Sequence, residues 1–326
     1  MWTGKGLGGL ICVLGRKPAA KGPLQKGYEN TMEAHEWMVR STYQTEWIAQ
    51  RGILLWLAMY AGGLGGGLYL VSLYFNSFLG MFVSLLIVAG LKGGFHFAYL
   101  GKPLRFWRIL FRPKTSWLTR GFIFVVFFVG FAAIQLMLSH WLPGTVWEIL
   151  LKVLAGLMAV GVIVYTGFVL NTVKAVSLWN SPLLPLLFAM CGLMGGFGLS
   201  TVIALYGGNV DLHAAETGSR WLLVINALLI AVYLWRTVQK DETGRKSVMD
   251  QMRGEVAPAF WIGVIVLGIA APLAVTLFSY LSGEVIPAML IAGVVCELIG
   301  GLSVRYCLLK VGIYKPLFPR PSYLKP

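Results

Sequence analysis

The chain is short of charge, and shortest of acid. Of its 326 residues only 13 are Asp or Glu, against 27 Lys or Arg, and charged residues make up 12%. With 57% hydrophobic residues beside them, that fraction excludes an ordinary soluble domain. Cysteine is equally scarce. Cys12, Cys191, Cys296 and Cys307 form no CxxC pair and no Cys/His cluster, so there is no signature of an iron–sulfur or zinc site of the protein's own. Three of them sit in apolar runs, where a thiol acts as a small hydrophobe. Histidine occurs four times, at His35, His96, His140 and His213. No two fall at matched depth in apolar segments, so a haem held by two axial groups is not expected. A P-loop, HExxH, GxSxG and a paired catalytic carboxylate are all missing. Redox chemistry by this protein alone is therefore not expected. The start has an apolar patch only from Leu7 to Leu14, short for the apolar region of a signal peptide, so none is expected.

What the sequence does have is apolar length. Runs near the ~20 residues that cross a bilayer recur along it. They predict an all-α integral membrane protein with eight transmembrane helices in one bundle, over residues 47–73, 78–100, 122–138, 149–170, 183–206, 221–238, 259–280 and 285–310. The expected organisation is a basic surface tail at 1–46, the eight-helix domain at 47–310 and a Pro-rich tail at 311–326. The net charge of +14 would also suit a nucleic-acid binder, but membrane proteins gather Lys and Arg in their cytoplasmic loops. No nucleic-acid partner is expected; the solvent of this surface is lipid. With an even number of spans both tails share one face. That face, with the links after spans two, four and six, holds 24 of the 27 Lys and Arg. The positive-inside rule then puts both tails in the cytoplasm, on a cell's inner (cytoplasmic) membrane.

The protein is organised around residues 92–121. Lys92, His96 and Tyr99 lie at i, i+4 and i+7, one face of the second helix. Six basic residues follow with no acid among them: Lys102, Arg105, Arg108, Arg112, Lys114 and Arg120, interleaved with Phe106, Trp107, Phe111 and Trp117. Charge in hydrocarbon costs roughly 2.5–3.5 kcal/mol on insertion scales, so Lys92, His96, Glu297 and Arg305 each need a reason. Lys92, His96 and Tyr99 offer donors and a proton carrier to a ligand with carbonyl or hydroxyl oxygens. The plainer alternative is a Lys92 that snorkels to the interface and a His96 that caps a helix end. Glu297 and Arg305 are about 12 Å apart along the last helix, too far for a direct bridge. Each is expected to pair with another helix, as a structural contact or as steps of a proton relay. Glycines repeat at GxxxG spacing, at Gly62/Gly66, Gly63/Gly67, Gly90/Gly94 and Gly192/Gly196. These are close-packing faces, or a groove where a flat ligand lies on bare backbone, with Gly66 in its wall.

Three blocks carry a family resemblance. LGKPLRFWRILFRPKTSWLTRG at 100–121, YTGFVLNTVKAVSLWNSPLLPLLF at 165–188 and ELIGGLSVRYCLLKVGIY at 297–314 resemble the NrfD/polysulfide-reductase membrane-subunit family. The first two blocks are long and specific, and the match covers most of Trp47 to Tyr314. The resemblance implies a haem-free, quinone-reactive anchor in a molybdoenzyme-type respiratory complex. Its ligand would be a quinone or quinol, menaquinone or ubiquinone. Its partners would be a ferredoxin-like [4Fe–4S] subunit and a catalytic oxidoreductase subunit, which hold the iron–sulfur clusters and molybdopterin. His96 and Tyr165 match quinone-pocket residues of the family, with Lys92, Tyr99 and Gly66 around them. Where the family often has an acid three residues after the histidine, this sequence has Tyr99. Docking falls to the basic loop (Arg105, Arg108, Arg112) and the connector residues Lys174 and Trp179. Two other classes fit the residues: a secondary transporter without redox partners, and a purely structural anchor.

Overall fold

The computed structural model describes residues 41–316, except Arg112. Eight helices are long and apolar enough to cross a membrane. They are α1 (Gly52–Tyr74), α2 (Phe78–Tyr99), α3 (Trp117–Trp141), α4 (Val146–Asn171), α5 (Leu183–Leu205), α6 (Leu212–Lys240), α8 (Ala259–Ser282) and α9 (Pro287–Lys310). Between α6 and α8 lies a short helix that the apolar pattern does not predict, α7 (Glu242–Arg253). It is amphipathic and hydrophilic, so no apolar run announces it. The third span begins at Trp117 and the sixth at Leu212, each earlier than the apolar runs suggest. Polar N-caps explain both starts: Ser116 accepts from the Thr119 N–H and Asp211 from the Ala214 N–H, satisfying orphan donors of the first turn.

The bundle is held by small-residue faces. α1 and α5 are among the most closely packed pairs, together with α3 and α4, α5 and α6, and α8 and α9. A methyl group on Gly192 would sit 2.6 Å from the Gly63 carbonyl oxygen, and one on Gly196 2.6 Å from the Gly67 carbonyl carbon. Helix packing is thus what Gly192 and Gly196 of α5 do against Gly63 and Gly67 of α1. Gly90 and Gly94 differ: a side chain there would meet nothing within 4 Å, so their GxxxG spacing serves no helix contact among the described residues. α2 is wound more loosely over Ile87–Lys92 than an α-helix, as a π-helical segment that ends on Lys92. Such segments need a local reason and often lie at functional sites.

Both ends of the described region meet on one face. Strand β1 (Thr42–Tyr43), ahead of α1, pairs antiparallel with strand β2 (Ile313–Tyr314), after α9. The connector after α4 joins them, with a bridge from Val176 to Tyr314 and a hydrogen bond from the Lys315 N–H to the Ala175 carbonyl at 2.8 Å. Packing extends over Thr42–Lys315 as one unit. The rest of both tails, including their basic residues, lies outside the described residues.

Candidate functional site

Lys92 does not snorkel. It is 2% exposed and points inward, where Nζ donates to the Tyr165 hydroxyl at 2.6 Å and to the Ala58 carbonyl at 3.4 Å. Gly62 on α1 makes the room, since a methyl there would stand 2.6 Å from Nζ. Tyr165 on α4 is seated against Gly121 of α3, whose missing side chain leaves space for the ring. Three helices besides α2 therefore converge on one buried Lys–Tyr pair. The pair satisfies a cation that would otherwise be very costly in hydrocarbon.

His96, one turn along α2, places Nδ1 3.0 Å from the Lys92 carbonyl oxygen. A carbonyl only accepts, so Nδ1 bears the proton and Nε2 of the neutral ring is an acceptor. His96, Lys92, Tyr99 and Tyr165 line one cavity of about 400 Å³ between α2, α3 and a short 3₁₀ helix over Pro103–Phe111. Its remaining wall is almost wholly apolar, with Phe97, Phe106 and Phe122 in edge-to-face contact along it. A second cavity, of about 280 Å³, shares His96, Tyr99 and Tyr165 and reaches Glu46 and Trp47 near the strand-bearing face. The sequence gives no sign of those last two residues, because they fall at the edge of the first apolar run and nothing in their spacing marks them. An apolar cavity with a few convergent polar groups is what a small-molecule site requires.

The basic loop is ordered as a 3₁₀ helix over Pro103–Phe111. Thr119 Oγ1 donates to the Ile109 carbonyl at 2.7 Å, and Arg120 donates to the Pro113 and Lys114 carbonyls while lying over the Trp117 ring. Arg105 and Arg108 are exposed, and so is Lys174 on the connector. Leu104 beside them is 90% exposed and Phe111 70%. Arg112 lies outside the described residues.

Two expected roles are corrected. Trp179 is 0% exposed, donates from Nε1 to the Leu308 carbonyl at 2.7 Å and packs edge-on to Trp47. It is a core residue that ties the connector to α9, and no partner can reach it. Gly66 does not line the cavity; a methyl there would meet Ile163 at 2.9 Å and the Ala159 carbonyl at 3.2 Å, so it packs α1 on α4. The glycine beside the polar pair is Gly62.

Glu297 and Arg305 are held apart on α9. Glu297 is 2% exposed and accepts from Ser219 Oγ at 3.1 Å, with Gly198 opposite it. Arg305 is 1% exposed and meets no carboxylate among the described residues. It donates from Nη1 to the Gly301 carbonyl at 3.1 Å and lies over the rings of Phe188 (4.9 Å) and Tyr60 (5.4 Å). The other-helix partners expected for Arg305 are thus aromatic faces of α1 and α5.

Fold and site together define a multi-pass α-helical membrane protein with a lipid-depth polar pocket under a basic surface. The family described as "Polysulphide reductase, NrfD" matches residues 48–316, and the protein belongs to that family. It is 29% identical over 175 residues to the C component of polysulfide reductase from Wolinella succinogenes, a match over 50% of this sequence and 53% of that one. The match thus spans about half the length of that relative. It is 26% identical over 242 residues to protein NrfD of Escherichia coli, a match over 66% and 76%. Against the C component of sulfite dehydrogenase from Allochromatium vinosum it is 31% identical over 137 residues, a match over 38% and 41%.

Proposed function

We propose that this protein is the haem-free membrane subunit of a respiratory oxidoreductase, exchanging electrons between the quinone pool and an iron–sulfur partner, with quinol oxidation as its working direction. The relatives' names support the coarse part of this reading, since they are components of a polysulfide reductase and a sulfite dehydrogenase. The observation that carries the finer part is the pairing of one donor with one acceptor in an otherwise apolar cavity. Lys92 donates to the Tyr165 oxygen, so the Tyr165 O–H is left to donate to a ring oxygen. Nε2 of His96 is left to accept from a ring hydroxyl. The apolar wall accommodates a flat ring and the root of an isoprenoid tail.

Quinol, when bound, supplies two electrons and two protons. His96 accepts one proton at Nε2, and the imidazolium so formed keeps its Nδ1–H bond to the Lys92 carbonyl. Tyr165 orients the opposite oxygen, whose proton passes directly to water in the second cavity, and Lys92 holds the Tyr165 hydroxyl in place. Tyr99 stands in the wall common to both cavities, where the second cavity leads toward Glu46 and water. Protons leave on that side. The exposed Arg105, Arg108 and Lys174 form the docking face for an acidic ferredoxin-like [4Fe–4S] subunit, whose catalytic companion holds the molybdopterin. Arg305, buried against α1 and α5, adds positive potential to the interior on the strand-bearing side.

The test is His96→Ala in the intact complex. Quinol-dependent turnover is expected to fall by about 10²-fold or more, the usual size of a general-base contribution, with the complex still assembled. Binding of a fluorescent quinol analogue is expected to weaken in parallel. Unchanged turnover with full assembly rejects the assignment. A wild-type complex that binds no analogue favours a purely structural anchor.

A further inference from the structure

Away from the cavity just described, the bundle holds a second polar site that the quinone reading does not use. Glu297 of α9 and Glu216 of α6 line one small cavity of about 10 Å³, together with Thr201, Ser219 and Thr276. That is roughly the volume one water needs when it has two to four polar partners. Around it the bonding is incomplete. Ser219 donates to Oε2 of Glu297 at 3.1 Å, but Oε1 has no partner among the described residues. Ser279 of α8 lies 3.4 and 3.5 Å from the two Glu216 oxygens. Gly198 leaves the space beside Glu297, since a methyl there would be 3.1 Å from Oε2 and 3.2 Å from Oε1.

Charges facing this cavity from each neighbouring element are few. α6 supplies Arg220, whose guanidinium lies over the Tyr280 ring at 4.7 Å, and His213 one turn before Glu216. α5 supplies only Thr201 and the Gly198 gap, and α8 only Thr276 and Ser279. Arg305 is two turns further along α9 and turned to Tyr60 and Phe188. Neither carboxylate makes an ion pair with a cation among the described residues. Two negative charges sharing one small buried cavity would repel and would both be largely desolvated. A proton removes the conflict. It converts an acceptor into an O–H donor on the unpartnered Oε1, aimed into a space of one water's size.

We propose that Glu216 and Glu297 form a proton-holding pair, bridged by a single water, on the side of the bundle away from the basic loop. Glu216 sits one turn from the α6 start and Glu297 about 15 Å along α9 from its start, so the pair runs from that face toward the interior. The hydroxyls of Ser219, Thr201 and Thr276 already donate to Glu297, to the Phe197 carbonyl and to the Leu273 carbonyl, so they line the space as acceptors and one of them accepts from the water's second O–H. A proton enters at Glu216, the less deeply placed of the two, and rests on Glu297.

The experiment is infrared difference spectroscopy of the full-length protein, purified with whatever partners accompany it, across a pH titration in light and heavy water. Wild type is expected to show the C=O stretch of a buried protonated carboxyl, shifted by deuteration. Glu297→Gln is expected to abolish that band and Glu216→Gln to shift its titration. Ser219→Ala, a milder change, is expected to move the band's frequency by removing a hydrogen bond. Should Glu297→Gln not assemble, the Ser219→Ala shift decides. A band identical in wild type and all assembled variants overturns the proposal, as does a wild type without one. Repeating the titration in sodium and in potassium buffers adds a further arm. Loss of the band in sodium alone assigns the pair to a metal cation and overturns the proton. None of these readings depends on quinol binding, so failure here and failure of the quinone assignment are separable.

Discussion

Tyr165 is a single side chain with two tasks. It is the principal partner of a buried Lys92 and the donor offered to a ligand. Tyr165→Phe keeps the ring against Gly121 and removes only the oxygen. Lys92 is then left with the Ala58 carbonyl at 3.4 Å, a weak bond by distance. Leaving a buried donor without its partner costs about 1–3 kcal/mol, more for a charged group. The variant is expected to unfold earlier in detergent and to lose quinol-analogue binding. Removing both partners of such a pair is far milder than removing one. Lys92→Met combined with Tyr165→Phe is therefore expected to recover most of the thermal midpoint while binding stays lost. Thermal unfolding and analogue binding measured on the same samples check both. A Tyr165→Phe protein as stable as wild type sinks the pairing argument.

At the level of elements, the strand-bearing face is closed by Asp241, the shared cap between α6 and α7. Burial alone would raise its carboxyl. The Gly244 N–H, Lys315 and Ser177 outweigh that and hold it below the usual carboxylate range, through bonds of 2.7, 3.0 and 2.8 Å. A carboxyl depressed in the fold contributes stability above its unfolded pKa of about 3.9, and loses it as pH falls through the folded value. Below about pH 4 this clasp is expected to open before the bundle does, with faster hydrogen exchange at the Gly244 and Lys315 amides. Asp241→Asn is expected to reproduce that exchange near neutral pH; unchanged protection in both cases rules the clasp out. The clasp also shows how far a sequence can be read. Span number and order follow from apolar length, and the Lys92–His96–Tyr99 face follows from helical spacing. Nothing local marks a contact such as Lys315 with Asp241, or β1 with β2, because the partners are far apart along the polypeptide. Trp179 misleads for a related reason: an aromatic near a lysine in a connector reads as surface, while the Leu308 carbonyl it bonds lies 129 residues away. Glu216 goes unmarked because the apolar run of its helix begins only at Trp221, leaving the polar first turns without a signal.

At the scale of the whole molecule the question is which side of the membrane the strand-bearing face occupies. Eight spans bring both described ends together, and the β1–β2 pairing holds them on one face. That face also bears the basic loop, the connector with Lys174 and the amphipathic α7. The opposite face has little positive charge to balance it: Lys152 is bound to Glu148 at 2.8 Å and to Asn76 at 2.9 Å, and Arg220 is turned onto Tyr280. Lys and Arg in short loops near span ends set orientation, whereas acidic residues contribute little. The strand-bearing face is therefore expected to be cytoplasmic, and a partner docked on Arg105 and Arg108 would meet it there. Single cysteines at Thr42 and Lys174, introduced one at a time, are expected to resist a membrane-impermeant thiol reagent in intact cells and to react after permeabilisation. A cysteine at Gly207, in the turn between α5 and α6, is expected to behave in the opposite way. If the pattern is reversed, the basic loop faces outward, and its charge is there to bind an acidic partner rather than to hold the protein in the cytoplasmic orientation.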